Sequence, residues 1–197
     1  GLAKLHSKDG REPAVMLESG GIELGATAKG YASELVAERL RAKGITSALL
    51  NLGGNVEVIG KKPNGSLWKI GIRNPFGGDP IGVLQVSDTS VVTSAIDQRF
   101  FTDETGHRYW HIIDPTTGKP AQSGLASATI IMPDCGYADA LSTAVFVMGK
   151  DSAFALWKEK GDFEMILVAI NGKIYVTEGI QAAFTPSEGF TVEVLHE

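Results

Sequence analysis

Apolar and polar positions along the chain change period several times, and the changes mark out a mixed α and β protein. From Ala28 to Lys43, Tyr31, Leu35, Val36 and Leu40 recur at helical spacing, with Glu34, Glu38, Arg39 and Arg41 mostly off that stripe. Gly44 follows as a helix stop. Tyr137 to Met148 reads as a strongly apolar helix and Ser152 to Lys160 as another. Short extended runs are predicted at 13–18, Ala48 to Leu52, Val56 to Ile59, Leu67 to Ile72, Ile81 to Val86, Trp110 to Ile113 and Ala126 to Met132. Gly53-Gly54-Asn55 reads as the tight turn joining two of them. The C-terminal part reads as a meander: Met165 to Ile170, the type I′ signal Asn171-Gly172, Lys173 to Thr177, then Phe190 to Leu195. Strands and helices alternate without a regular βαβ rhythm, so the predicted class is α+β, with mixed or antiparallel sheets and packed helices.

Composition narrows the picture. At 197 residues the chain suits one domain, taken as 1–197, and two full domains would be cramped. No apolar run approaches the roughly 18 to 20 residues of a membrane span, and the opening Gly1-Leu2-Ala3-Lys4 lacks the apolar core of a signal peptide. The single cysteine excludes an internal disulfide framework and a cysteine-based zinc knuckle. A net charge of −5 with no basic run argues against a nucleic-acid surface. Glycine is the departure: 24 residues, about 12% where about 7% is usual.

Four stretches are rich in residues that carry chemistry. Glu23-Leu24-Gly25-Ala26-Thr27-Ala28-Lys29-Gly30-Tyr31 is a small-residue run entering a helix, either a plain loop or a place where a ligand meets backbone and free N–H groups. Asn51-Leu52-Gly53-Gly54-Asn55 is either a hairpin turn alone or a backbone surface for a flat or phosphorylated ligand. The run from His107 to Pro120 holds Asp-Pro-x-x-Gly turn chemistry at Asp114, Pro115 and Gly118. Before that turn sits His111, a packing residue or a general base near neutral pH. In the fourth stretch Asp139, Ser142 and Thr143 stand at i, i+3 and i+4, three oxygen ligands on one helical face. Such donors suit Mg²⁺ or Ca²⁺; alternatively Asp139 serves the helix N-terminus and the hydroxyls bond backward to carbonyls. Cys135 stands outside any activating motif and reads as a bystander thiol.

Six segments together resemble the ApbE family of flavin transferases: ELGATAKGYA (23–32), NLGGN (51–55), WKIGIRNP (68–75), TSA (93–95), HIIDPTTGKP (111–120) and ADALSTA (138–144). No one of them would suffice, but six in register are hard to obtain by chance. The resemblance implies an ApbE-like, T-fold-related architecture and one joint task for the four stretches. That task is to bind FAD with Mg²⁺ at the diphosphate, cleave it, and join FMN through a phosphoester to a threonine or serine of a partner flavoprotein. By carry-over the metal ligands are Asp139, Thr143 and the carbonyl of Ala26, with Ser142 at a third helical position. His111 is the base toward the acceptor hydroxyl. Glu23, Lys29 and the backbone near Ile112 contact FAD, and Thr93 and Ser94 line the same cleft.

This chain departs from the family pattern at named positions. Glu23 replaces Asp, Asn55 stands where Asp is common, Ala95 fills a glycine position, and Ile96 and Asp97 replace a polar–aromatic pair. The front is short relative to the family, so the resemblance implies a member lacking the N-terminal third. Two alternatives remain: hydrolysis of FAD to FMN and AMP, and a non-catalytic flavin-binding module. The implied location is the bacterial periplasm or the outer face of the inner membrane, lipid-anchored in the precursor, with the cytoplasm as the alternative.

Overall fold

The computed structural model describes residues 23–97, 100–106 and 108–197, and as backbone only two short antiparallel strands, β1 (Lys4–His6) and β2 (Ala14–Met16). Pro13, Leu17 and Glu18 of the strand expected at 13–18 lie outside the described residues, as do Gln98 and Arg99 and, from the third motif stretch, His107.

Helix α1 (Ala28–Ala42) leads into the hairpin β3 (Ala48–Leu52) and β4 (Asn55–Ile59). Gly53 and Gly54 form its two-residue turn with φ of 61° and 97°, the left-handed pair a type I′ turn needs. After β5 (Trp68–Ile72) and β6 (Gly82–Val86) comes β7 (Thr89–Ala95), then β8 (Phe100–Thr102), β9 (Arg108–Trp110), β10 (Ile113–Asp114) and β11 (Lys119–Pro120). The rest is β12 (Leu125–Met132), α2 (Cys135–Met148), α3 (Lys150–Lys160), β13 (Glu164–Ala169), β14 (Ile174–Thr177), a 3₁₀ turn at Glu178–Ile180, β15 (Phe184–Pro186) and β16 (Val192–Leu195).

Seven strands form one sheet in the order β16-β14-β13-β12-β7-β4-β3, and three form a second in the order β15-β6-β5. Pairing is antiparallel except between β14 and β16. The large sheet is the middle layer. One of its faces buries Val92, Ile130, Leu167 and Tyr175 against Leu141, Val145 and Phe146 of α2 and Trp157 of α3. Its other face buries Val91, Ile131, Ile166 and Val176 against Ile70, Ile72 and Leu84 of the small sheet. Successive strand residues point to opposite faces, and with both faces covered all eight residues of β12 are buried. The α+β class with packed helices is therefore the observed one.

Four local expectations change. The Tyr31, Leu35 and Val36 stripe of α1 is exposed, at 62%, 39% and 40% of full accessibility, while Gly30, Ser33 and Ala37 are buried. Close approach of helix α1 to α2 selects small side chains over large apolar ones. The C-terminal meander is broken, because β15 crosses to the small sheet and β16 returns parallel to β14. The Asn171-Gly172 turn is not type I′: Gly172 N–H donates to the Ala169 carbonyl at 2.9 Å, which makes Ile170 and Asn171 the central pair, and only Gly172 has positive φ, at 83°. Strand β7, central in the large sheet, carried no strand expectation, since its hydroxyl-rich TSVVTSA run reads as a motif rather than as a periodic element.

Candidate functional site

Helix α2 begins at Asp134, whose side chain accepts the Tyr137 N–H at 2.7 Å. One turn further in, the carboxylate of Asp139 is almost wholly buried, at 4% exposure. A buried carboxylate needs donors, and the Gly30 N–H of α1 donates to Asp139 Oδ2 at 2.9 Å. That amide would otherwise turn back to the Ala26 carbonyl, as the next one does: Tyr31 N–H donates to the Thr27 carbonyl at 3.0 Å. Among the described residues no backbone N–H takes the Ala26 carbonyl. The start of α1 thus brings a carbonyl and the Asp139 carboxylate to one place.

The hydroxyls gather beside them. Ser142, fully buried, donates to the Asp139 carbonyl at 2.9 Å and lies 2.8 Å from Ser94 Oγ. Ser94 Oγ is in turn 3.1 Å from Thr143 Oγ1, which stands 3.5 Å from the Asp139 carbonyl. Backward bonding of Ser142 and a shared oxygen face occur together here. The donors are oxygen throughout, the set a hard divalent cation takes. Among the described residues no group of three or more His, Cys, Asp or Glu could cage a metal. An ion here would therefore keep positions for water and phosphate, as Mg²⁺ does.

Strand β7 is the wall between this face and a cavity. Thr93 and Ser94, expected on one cleft, point to opposite faces of the strand, as its period requires. Ser94 meets α2, whereas Thr93 pairs with Thr129 at 2.8 Å between hydroxyls and lines the cavity. The cavity holds about 440 Å³ between the Gly53–Gly54 turn, β5 and β7, the size of a small-ligand site. Lys29 spans its edge: its Nζ donates to Asn55 Oδ1 at 3.2 Å, and its Cδ would lie 3.5 Å from a Cβ on Gly53. Sequence reading missed the cavity's ion pair, Arg73 Nε donating to Asp97 Oδ2 at 2.7 Å. The only sequence signal was a charge beside each of two motifs.

The remaining expected residues are placed differently. Glu23 is exposed and its Oε1 accepts the Gly25 N–H at 2.8 Å, closing the loop before α1. His111 is exposed on the connection between β9 and β10. Its neighbour Ile112 buries its side chain in the core, and its carbonyl accepts the Ala121 N–H at 2.9 Å, which leaves the Ile112 N–H as the backbone donor there. Asp114 accepts from the Thr116 N–H and hydroxyl at 2.8 and 2.7 Å, bonds that hold its carboxyl below the usual range.

Under α1 lies a polar seam that the sequence did not announce. Glu57 of β4 is fully buried, 3.5 Å from Arg41, and its Oε2 has no hydrogen-bond partner among the described residues; Ser33 Oγ is likewise unpartnered. Burial first, and the Glu34 charge second, push the Glu57 carboxyl from 4.5 up to about 7 against the pull of Arg41. Burial also pushes the Cys135 thiol up to about 12, which makes it unreactive. Between pH 4.5 and 7 folded Glu57 holds a proton that the unfolded chain has released. Stability therefore falls as pH rises through that window and levels off above it, by roughly 3 kcal/mol. Glu57→Gln should remove this slope, so that denaturant midpoints of wild type drop below those of the variant only on the alkaline side. Parallel pH curves for the two would refute the assignment.

Comparison with known proteins follows the geometry. The sequence model of the ApbE family matches residues 2–167. The chain is 38% identical over 169 residues to the FAD:protein FMN transferase of Treponema pallidum, covering 81% of this chain and 46% of that protein. It is 36% identical over 177 residues to the FAD:protein FMN transferase of Klebsiella pneumoniae, covering 88% and 54%. The crystal structure of the ApbE protein of Thermotoga maritima superposes with a TM-score of 0.81 at 36% identity, over 91% of this chain and 58% of that one. The chain spans about half the length of the curated relatives it matches. A family match over most of the chain, with the same fold at this identity, carries the assignment: the chain belongs to the ApbE family.

Proposed function

We propose that this chain transfers FMN from FAD to a serine or threonine hydroxyl of a partner flavoprotein, with Mg²⁺ at the FAD diphosphate. The observation that carries the reading is the junction of α1 and α2. There a buried carboxylate (Asp139), a carbonyl with no helical partner (Ala26) and the hydroxyls of Ser142 and Thr143 converge next to a cavity of ligand size. The relatives bearing the name FAD:protein FMN transferase share this chain's sequence across that junction.

Asp139, Thr143 and the Ala26 carbonyl would hold the cation, with Ser142 orienting through its bonds to Ser94 and the Asp139 carbonyl. Once bound, Mg²⁺ neutralises charge developing on the diphosphate oxygens. The chain's own residues do the rest. Lys29 and the Gly53–Gly54 backbone line the place where a dinucleotide would lie. His111, open to solvent, accepts the proton of the acceptor hydroxyl as that oxygen bonds to the FMN phosphorus. The bond from that phosphorus to the AMP oxygen breaks, and AMP leaves.

The test is incubation with FAD, Mg²⁺ and a threonine-bearing fragment of a flavoprotein. Flavin fluorescence surviving a denaturing gel, with one AMP released per flavin attached, is the expected result. Free FMN and AMP without labelled protein would replace this reading with hydrolysis. Flavin binding without turnover and without Mg²⁺ dependence would replace it with a binding module.

A further inference from the structure

The cavity contains a charged pair that the flavin-transfer reading does not use. Asp97 follows β7 of the large sheet and Arg73 follows β5 of the small one, so their 2.7 Å bond ties the two sheets together at the cavity they both line. The partners are not equally exposed. The Arg73 side chain is 67% exposed and that of Asp97 16%, and Asp97 Oδ1 is fully buried with no hydrogen-bond partner among the described residues. A carboxylate oxygen removed from bulk water and left without a donor is costly, and such atoms are normally met by water or ligand. Much of the surrounding wall is apolar, from Val56, Ile70, Ile72 and Val91, with the Gly53–Gly54 turn presenting only backbone. A flat ring fits such a wall, and Asp97 offers an acceptor at its edge.

The geometry points to Asp97, held by Arg73, as the specificity-determining group of this cavity. Asp97 Oδ1 accepts a hydrogen bond from an N–H of a planar heterocycle, and the Arg73 guanidinium is the complementary donor to the ring acceptor beside it. This rests on the flavin-transfer reading and adds to it which ring edge is read and by what. FAD carries the required edge twice, as the imide N–H of the flavin between carbonyls and as the amino group of adenine beside a ring nitrogen. At this position a neutral aromatic side chain could stack on a ring but would not distinguish a donor edge from a blocked one.

The experiment measures binding of FAD, FMN and ADP to wild type, Asp97→Ala and Asp97→Asn. It is repeated with FMN methylated at its imide nitrogen and ADP dimethylated at its amino group. In one of the two arms methylation should weaken binding to wild type about ten- to a hundredfold, the worth of a hydrogen bond to a charged acceptor. The same penalty should fall below about threefold in Asp97→Ala and to an intermediate value in Asp97→Asn. The arm that responds identifies the ring. Asp97→Asn has the size of wild type, so a penalty that stays at its full value there is steric and overturns the inference. Wild type without a methylation penalty in either arm overturns it with no variant needed. Wild type that binds none of FAD, FMN and ADP overturns the flavin-transfer reading along with it.

Discussion

Asp139→Asn should abolish the Mg²⁺ dependence of FAD binding and lower FMN transfer by about a thousandfold, while leaving stability within about 1 kcal/mol of wild type. The two halves of this expectation come from the two tasks of one carboxylate. Its Oδ2 accepts the Gly30 N–H at 2.9 Å, a bond that an amide oxygen in the same place can still accept. Its charge is what a divalent cation requires, and among the described residues no cluster of further acids stands ready to replace it. Asp139→Ala separates the tasks further. It leaves the buried Gly30 N–H without a partner, which costs about 1–3 kcal/mol on top of the lost metal affinity. Titration calorimetry of FAD with and without Mg²⁺, alongside thermal melts, reads both quantities. An unchanged Mg²⁺ effect in Asp139→Asn would remove this residue from the metal site.

The features of the site that were readable from the sequence were those set by local periodicity. Asp139, Ser142 and Thr143 share a helical face because residues three and four apart always do, and the Gly53–Gly54 turn followed from two adjacent residues free to take positive φ. What was not readable depended on which element lies against which. The large apolar residues of α1 suggested a buried stripe at Tyr31, Leu35 and Val36, whereas proximity to α2 buries Gly30, Ser33 and Ala37. Thr93 and Ser94 looked like one motif, and became two sides of a wall once β7 proved to be a central strand between α2 and the small sheet. Glu57 reads as an ordinary exposed position of a strand until α1 and Arg41 cover it. Asp97 and Arg73 stand more than twenty residues apart in different motifs, and only the packing of two sheets makes them a pair.

The junction of α1 and α2 also sets the second large effect, at a glycine. A Cβ on Gly30 would stand 2.2 Å from the Cys135 carbonyl oxygen and 2.7 Å from Asp139 Cβ. Both neighbours are fixed, one as backbone and the other as the first carbon of the metal-site carboxylate, so Gly30→Ala can be accommodated only by moving the helices apart. Alanine gains about 1 kcal/mol over glycine in a helix, yet overpacking a close contact costs about 1–3 kcal/mol and sometimes more. A net loss of about 2 kcal/mol is expected, or a melting temperature lower by roughly 4–8 °C for a chain of this size. The control lies across the same interface. A Cβ on Gly136 meets nothing closer than 3.4 Å, ordinary contact, so Gly136→Ala should keep the propensity gain and melt at or slightly above wild type. Separation of the helices would also draw the Gly30 N–H away from Asp139 Oδ2. Gly30→Ala should therefore lose Mg²⁺-dependent FAD binding as well, whereas a destabilising substitution in the small sheet, such as Ile70→Ala, should lower the melting temperature and leave that dependence intact. If Gly30→Ala melts like Gly136→Ala, the two helices are not packed as closely as the Gly30–Cys135 contact requires.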